Sequence, residues 1–195
     1  WWQDLLENGP ASTLADFFDI DWQPPSEHLG NKVLLPILGD HYGVELSVGR
    51  MALQFEPATG AFAVRYFGHR LPIDPRQYPR ILAPAVRELE AAGEDLEHQA
   101  QALRSLMEAC ARLPRREGPA RARIDQRNLD KEVAKGRLAQ LARIHRPVEE
   151  AIGRAVEALN GRSDDPASFD ALHDLLERQA WRLPFWRVAQ DEINY

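Results

Sequence analysis

Apolar residues alternate with polar ones from Met51 to Glu56 and again after Gly60, and Pro57-Ala58-Thr59-Gly60 joins the two runs. Alternation on both sides of a Pro/Gly turn predicts a β-hairpin. Leu53 and Phe55 then share one face of the first strand, and Phe62, Val64 and Tyr66 one face of the second. His69 and Arg70 follow where the ordered strand gives way to a loop, stiffened by Pro72 and Pro75. A rigid sheet that delivers a His-Arg pair to a loop can set those groups against a polar ligand. The plainer reading is a surface pair at a strand end. Upstream, Lys32 to Leu38 reads as a buried strand that Pro36 confines to an edge or a bulge, and Val44 to Val48 as another. These pieces predict a small, mostly antiparallel sheet over residues 33–73.

The period changes at Asp74-Pro75, a cap followed by proline at the first helical position. A helix is expected over 75–91, stopped near Gly93. A second carries Leu96, Ala100, Leu103 and Cys110 and ends before Pro114. A third carries Leu138, Leu141, His145, Val148, Ile152, Val156 and Leu159 in steps of three or four, kinked at Pro147 and closed by Asn160-Gly161. Short helices are expected at residues 1–8, stopped by Asn8-Gly9-Pro10, and after Asp165-Pro166 or Ser168, with Leu172, His173, Leu175 and Leu176. An aromatic strand follows over 185–189. The fold class is α+β, mainly α: a segment of residues 1–74 with the sheet, a helical subdomain over 75–162, and a helix and strand over 163–195.

Composition narrows the function. A net charge of −6 argues against a chain built to coat nucleic acid or anionic lipid. Arg112, Arg115, Arg116, Arg121, Arg123 and Arg127 cluster between the second and third long helices, but no aromatic residue is interleaved for base stacking, so a solvated interhelix loop is the better reading. No apolar run is long enough to span a bilayer. The lone Cys110, at helical spacing from Leu103, Leu106 and Met107, is a small buried hydrophobe rather than a nucleophile. No histidine pair has metal-ligand spacing, and no cofactor motif is present. The chain opens on Trp1-Trp2 and stops at Tyr195 after an apolar-aromatic stretch, a pattern that reads as a piece of a longer protein.

Asp19 and Asp21 flank Ile20, and on a strand would point the same way, a spacing that could serve acid-base work on a glycosidic bond. Most such pairs are turn or capping residues. Asp191 and Glu192 are adjacent and point apart, a poor dyad. Residue chemistry alone therefore gives an α+β domain with no self-contained active site.

Four segments carry a resemblance: Phe17-Phe18-Asp19-Ile20-Asp21-Trp22; Lys32 to Gly39 with Tyr42-Gly43; His69-Arg70-Leu71-Pro72-Ile73; and Leu172-His173 through Gln179 to Tyr195. Together they resemble the maltooligosyl trehalose synthases of the α-amylase superfamily. The resemblance implies a cytoplasmic enzyme that rearranges the reducing-end α-1,4 bond of a maltooligosaccharide into an α,α-1,1 bond, retaining configuration through a covalent glycosyl-enzyme and without a cofactor. It also implies that this chain is an insertion between the early and middle strands of a (β/α)8 barrel. The catalytic carboxylates would then lie outside it, and the rest of that barrel would be its partner. By the same resemblance the chain supplies walls to the sugar site: Phe17, Phe18, Trp22, Trp186 and Tyr195 to stack on pyranose rings, and His69, Arg70, Asp191 and Asn194 to bond hydroxyls. The alternatives are a non-catalytic helical interaction module and a piece of a hydrolytic α-amylase relative.

Overall fold

A computed structural model describes residues 1–25, 29–117 and 121–187, apart from the side chains of Arg121 and Pro166. In chain order the elements are α1 (Trp2–Asn8), β1 (Val33–Leu34), α2 (Tyr42–Ser47), β2 (Ala52–Glu56), β3 (Ala61–Tyr66), β4 (His69–Pro72), α3 (Tyr78–Ala91), α4 (Glu97–Arg112), α5 (Arg121–Ile144), α6 (Arg146–Leu159), α7 (Asp170–Leu176) and β5 (Trp181–Arg182), with short 3₁₀ turns between some of them. The chain is mainly helical. Among the described residues no helix is long and apolar enough to cross a membrane.

The hairpin forms as the alternation predicts: Leu53 faces Val64 and Phe55 faces Phe62 across an antiparallel ladder. The chain does not leave the sheet at His69. It turns back at Phe67-Gly68, and β4 pairs with β3, placing His69 opposite Tyr66 and Arg70 opposite Arg65. The expected loop position for His69 and Arg70 is thus corrected to a third strand, in which Leu71 continues the apolar face beside Val64. The hairpin turn rests on α5. A Cβ at Gly60, where φ is +67°, would overlap the Lys135 carbonyl and the Ala139 amide. Glycine is required there for both backbone conformation and close approach.

Of the two upstream expectations, the strand within residues 32–38 forms but outside the antiparallel sheet, and the one over 44–48 does not form. Val44 to Ser47 is helical, in α2, which Val48 caps, and buried Glu45 accepts from Arg50 at 3.1 Å through both carboxylate oxygens. Residues 33–38 do not join the antiparallel sheet; they run parallel to residues 180–186 instead. Val33 pairs with Trp181 and Leu34 with Arg182, Leu38 bridges to Phe185, and the Trp186 amide donates to the Leu38 carbonyl at 3.2 Å. Parallel strands need a long crossover, and here it is most of the chain.

The free edge of β2 is closed by a side chain: Asn160 accepts from the Leu53 amide at 2.6 Å and donates to its carbonyl at 2.9 Å. The residue that ends α6 thus occupies backbone groups that an edge strand leaves open. One buried cluster runs from Leu5 and Leu6 through Phe62, Val64 and Tyr66, Ile81 and Leu82, Leu103 and Ile152 to Leu172 and Trp181. Cys110 is buried in it. Burial, with the charge of Asp74, pushes its thiol up to about 12, so at neutral pH it is an inert hydrophobe.

The long helices depart from expectation in one respect. Pro147 does not kink a continuous helix. The helix ends at Ile144, His145 is extended, and α6 restarts with proline near its first turn, where the missing amide costs no hydrogen bond. The Arg-rich stretch is also not a solvated loop. From Arg121 it is helical, and Arg127 is fully buried.

Candidate functional site

Beside the C-terminal extension of β5, between it, the start of α2 and α7, lies a cleft of about 310 Å³. Clefts beyond the carboxyl ends of parallel strands are common ligand sites in α/β sheets. The parallel pairing holds Trp181 buried at its base, its indole N–H donating to the Pro72 carbonyl at 2.9 Å. That bond also ties the parallel pair to β4. On one side, the first turn of α2 presents His41 and Tyr42. On the other, α7 presents His173 and Phe185 closes the end. The rings form two facing pairs, Tyr42 with His173 at 5.6 Å between centroids and His41 with Phe185 at 5.1 Å.

The Tyr42 hydroxyl lies 3.1 Å from His173 Nδ1. Burial, assisted by the charge of Glu177, pushes the phenol well above its ordinary range. Tyr42 therefore keeps its proton, and its hydroxyl can donate to Nδ1 or accept from it according to the imidazole tautomer. At the rim Glu177 meets Lys32 at 3.3 Å and Arg182 at 3.5 Å. Aromatic faces with a phenol, imidazoles and a charged rim suit a ligand that has both an apolar face and hydroxyls. Acid-base cleavage of a glycoside by retention needs two carboxyl groups about 5 Å apart. Among the described residues that line the cleft, Glu177 is the single carboxylate, and its charge is committed to two cations.

The nine residues expected to wall a sugar site fall in different places. Trp186 lies directly beyond the cleft, half exposed, packed edge-on to Phe185 with Arg187 stacked 5.1 Å over its ring. Arg70 sits on β4 and is engaged: its Nε and Nη2 donate to Glu56 at 2.7 and 2.6 Å, and Nη1 donates to Gln3 Oε1 at 2.7 Å. The hydrogen bond from Arg70 holds the Glu56 carboxyl below its usual range. His69 is exposed beside it. Trp2, next to Gln3 on α1, packs 5.5 Å from Phe18, so α1 brings Phe18 and Arg70 to one helical turn. Phe17 is 80% exposed, and Trp22 is half-buried near Gly9. Asp191, Asn194 and Tyr195 lie outside the described residues. Asp21 accepts from the Gln23 amide at 2.9 Å, a turn role, and Asp19 is exposed.

Residue reasoning did not single out His41, Tyr42, His173 or Phe185. A signal for three of them was available, because Tyr42-Gly43 and Leu172-His173 through Phe185 belong to segments that carry the resemblance. A strand after Gly43 would give Tyr42 no evident partner, whereas helix α2 sets it beside a residue 131 positions later.

No family model matches the chain, and no solved structure matches it. Two curated relatives do: the proteins named "Putative maltooligosyl trehalose synthase" in Mycobacterium tuberculosis strains CDC 1551 / Oshkosh and ATCC 25618 / H37Rv. Each is 38% identical to this chain over 69 residues, 31% of this chain and 8% of the relative's length. The similarity is partial, and supports a related family at most.

Proposed function

We propose that this chain is part of an enzyme that converts the reducing-end α-1,4 bond of a maltooligosaccharide to an α,α-1,1 bond. In this reading the cleft beyond β1 and β5 forms one wall of the sugar site, and the carboxylates that break and remake the bond belong to the surrounding barrel. The observation that carries it is the parallel pairing of residues 33–38 with 180–186 across most of the chain. Two neighbouring strands of a (β/α)8 barrel are parallel, and a large insertion between them would leave such a pair at its base. Partial similarity to the mycobacterial relatives agrees in substrate class.

The role of the wall follows from the chemistry. A glycosyl-enzyme must be attacked by the released glucose rather than by water, so the site needs faces that hold the sugar and exclude solvent. Tyr42, His173 and Phe185 offer such faces, with Trp186 beside them. The isolated chain incubated with maltopentaose is expected to leave the reducing ends intact. In the complete enzyme, His173→Ala or Trp186→Ala is expected to raise hydrolysis relative to transfer. Turnover by the isolated chain, or unchanged product ratios in both variants, would overturn the reading.

A second reading, a helical interaction module, draws on one observation. A groove of about 710 Å³ between α4 and α5 is bordered by Val133 and Ile144, both strongly exposed. It predicts that Val133→Lys disrupts an association while leaving product ratios unchanged.

A further inference from the structure

Four segments meet at a second opening, of about 570 Å³: residues 30–32 before β1, the Asp74–Arg80 entry to α3, the exit of α4 at 111–117, and residues 177–179 between α7 and β5. Six cationic side chains line it: Lys32, Arg76, Arg80, Arg115, Arg116 and Arg178. Three carboxylates face them, in a chain whose overall charge is −6. This local excess of positive charge runs against the composition of the whole chain.

The carboxylates are already committed. Asp74 is buried and accepts from Arg127 at 2.5 Å, with Arg116 Nη1 at 3.4 Å on its other oxygen. Glu177 meets Lys32 and Arg182, and Glu117 lies 4.0 Å from Arg116. Arg116 itself is 7% exposed. Its Nη2 donates to the Arg178 carbonyl at 2.9 Å, while Nη1 has an ion-pair distance to Asp74 but no acceptor in hydrogen-bonding geometry among the described residues. Burial outweighs the charge of Asp74 and lowers the pKa of Arg116 from its ordinary value. A single buried carboxylate is therefore shared between two buried guanidiniums, and one of them is under-compensated. At the mouth, the guanidiniums of Arg80, Arg115 and Arg178 make no hydrogen bond or ion pair with any described residue.

We propose that this opening is an anion site that takes a phosphate group, either free phosphate or the phosphate of a sugar ester. Planar guanidiniums bind tetrahedral oxyanions through paired N–H donors, and several can share one dianion. Arg80, Arg115 and Arg178 supply donors at the mouth. Arg116 forms the wall behind them, where an added negative charge offsets the cation that Asp74 leaves partly unbalanced. The opening adjoins the sugar cleft through Glu177, which lines both, but the proposal does not depend on the reading of that cleft.

Calorimetric titration of the full chain with inorganic phosphate and with glucose 6-phosphate, at low and constant ionic strength with chloride as control, tests it. Saturable binding of at least one of the two is expected. Equal affinity identifies the free anion as sufficient, and preference for the ester identifies a sugar phosphate. Arg80→Gln/Arg115→Gln changes exposed, unpartnered side chains and is expected to weaken binding roughly tenfold with the melting temperature in chloride unchanged. Glu117→Gln removes a rim carboxylate and is expected to tighten binding about twofold, an effect a merely structural role would not produce. Phosphate that binds no better than chloride, or a double variant with wild-type affinity, overturns the proposal.

Discussion

Helices α5 and α6 are neighbours in sequence and in space, yet they are held by opposite chemistry. The inner face of α6 is apolar, with Val148, Ala151, Ile152, Ala155 and Val156 packed on α3 and β2. The buried face of α5 reads Ile124, Arg127, Lys131, Ala134, Lys135, Leu138 and Ala142, three cations among four apolar residues. Each cation meets a carboxylate from elsewhere: Arg127 meets Asp74, Lys131 meets Glu7 at 2.9 Å, and Lys135 meets Glu7 at 3.2 Å. Apolar packing tolerates small errors in register, because any neighbour of suitable size will serve. A buried ion pair does not, since it must find its counter-charge or lose far more than it gains. Helix α5 is positioned by partners, α6 by shape.

The largest effect is expected at Asp74→Ala, which strips Arg127 and Arg116 of their common carboxylate and removes the cap on the Arg76 amide. A loss of about 4 kcal/mol should appear in chemical denaturation, because two buried charges are left behind. A loss below that of any single apolar truncation on α6 would break the contrast. Ile152→Ala should cost about 3 kcal/mol through lost transfer energy and a cavity. The loss should be insensitive to pH, since no charge is involved.

Glu7→Gln should cost about 2 kcal/mol by weakening both lysine contacts, and it sharpens the comparison through pH. Burial alone would lower Lys131, but the charge and hydrogen bond of Glu7, with Asp4 and Glu132, more than offset it and hold its pKa above the usual 10.5. A raised folded-state value means that the stabilisation is present in full below pH 10.5 and is lost as pH climbs through the folded value. Unfolding followed against pH should therefore show an alkaline loss in the parent protein that is smaller in Glu7→Gln. Equal alkaline slopes would remove Glu7 as its source.

The same contrast explains what could be read in advance. The hairpin, the cap at Asp74, the stops at Gly9, Gly93 and Asn160-Gly161, the burial of Cys110 and the apolar faces of α3, α4 and α6 are local signals: a period, a cap, a turn. The start of α5 is not legible in the sequence because its inward face is charged, and a stripe of Arg127, Lys131 and Lys135 looks like a solvated surface until Asp74 and Glu7 are placed against it. Tyr42 and His173 became neighbours for the same reason, through a contact that no local period announces.

Taken by itself, the sequence determined the hairpin, the helices whose inward face is apolar and which side chains are apolar enough to bury, since those follow from each residue and its near neighbours. Tertiary structure decided that residues 33–38 join 180–186 in parallel, that β4 makes His69 and Arg70 part of a strand, and that cations go inside. These outcomes depend on groups far apart in the chain. The energies of ion pairing and strand pairing take their sign from the partner that folding brings into reach.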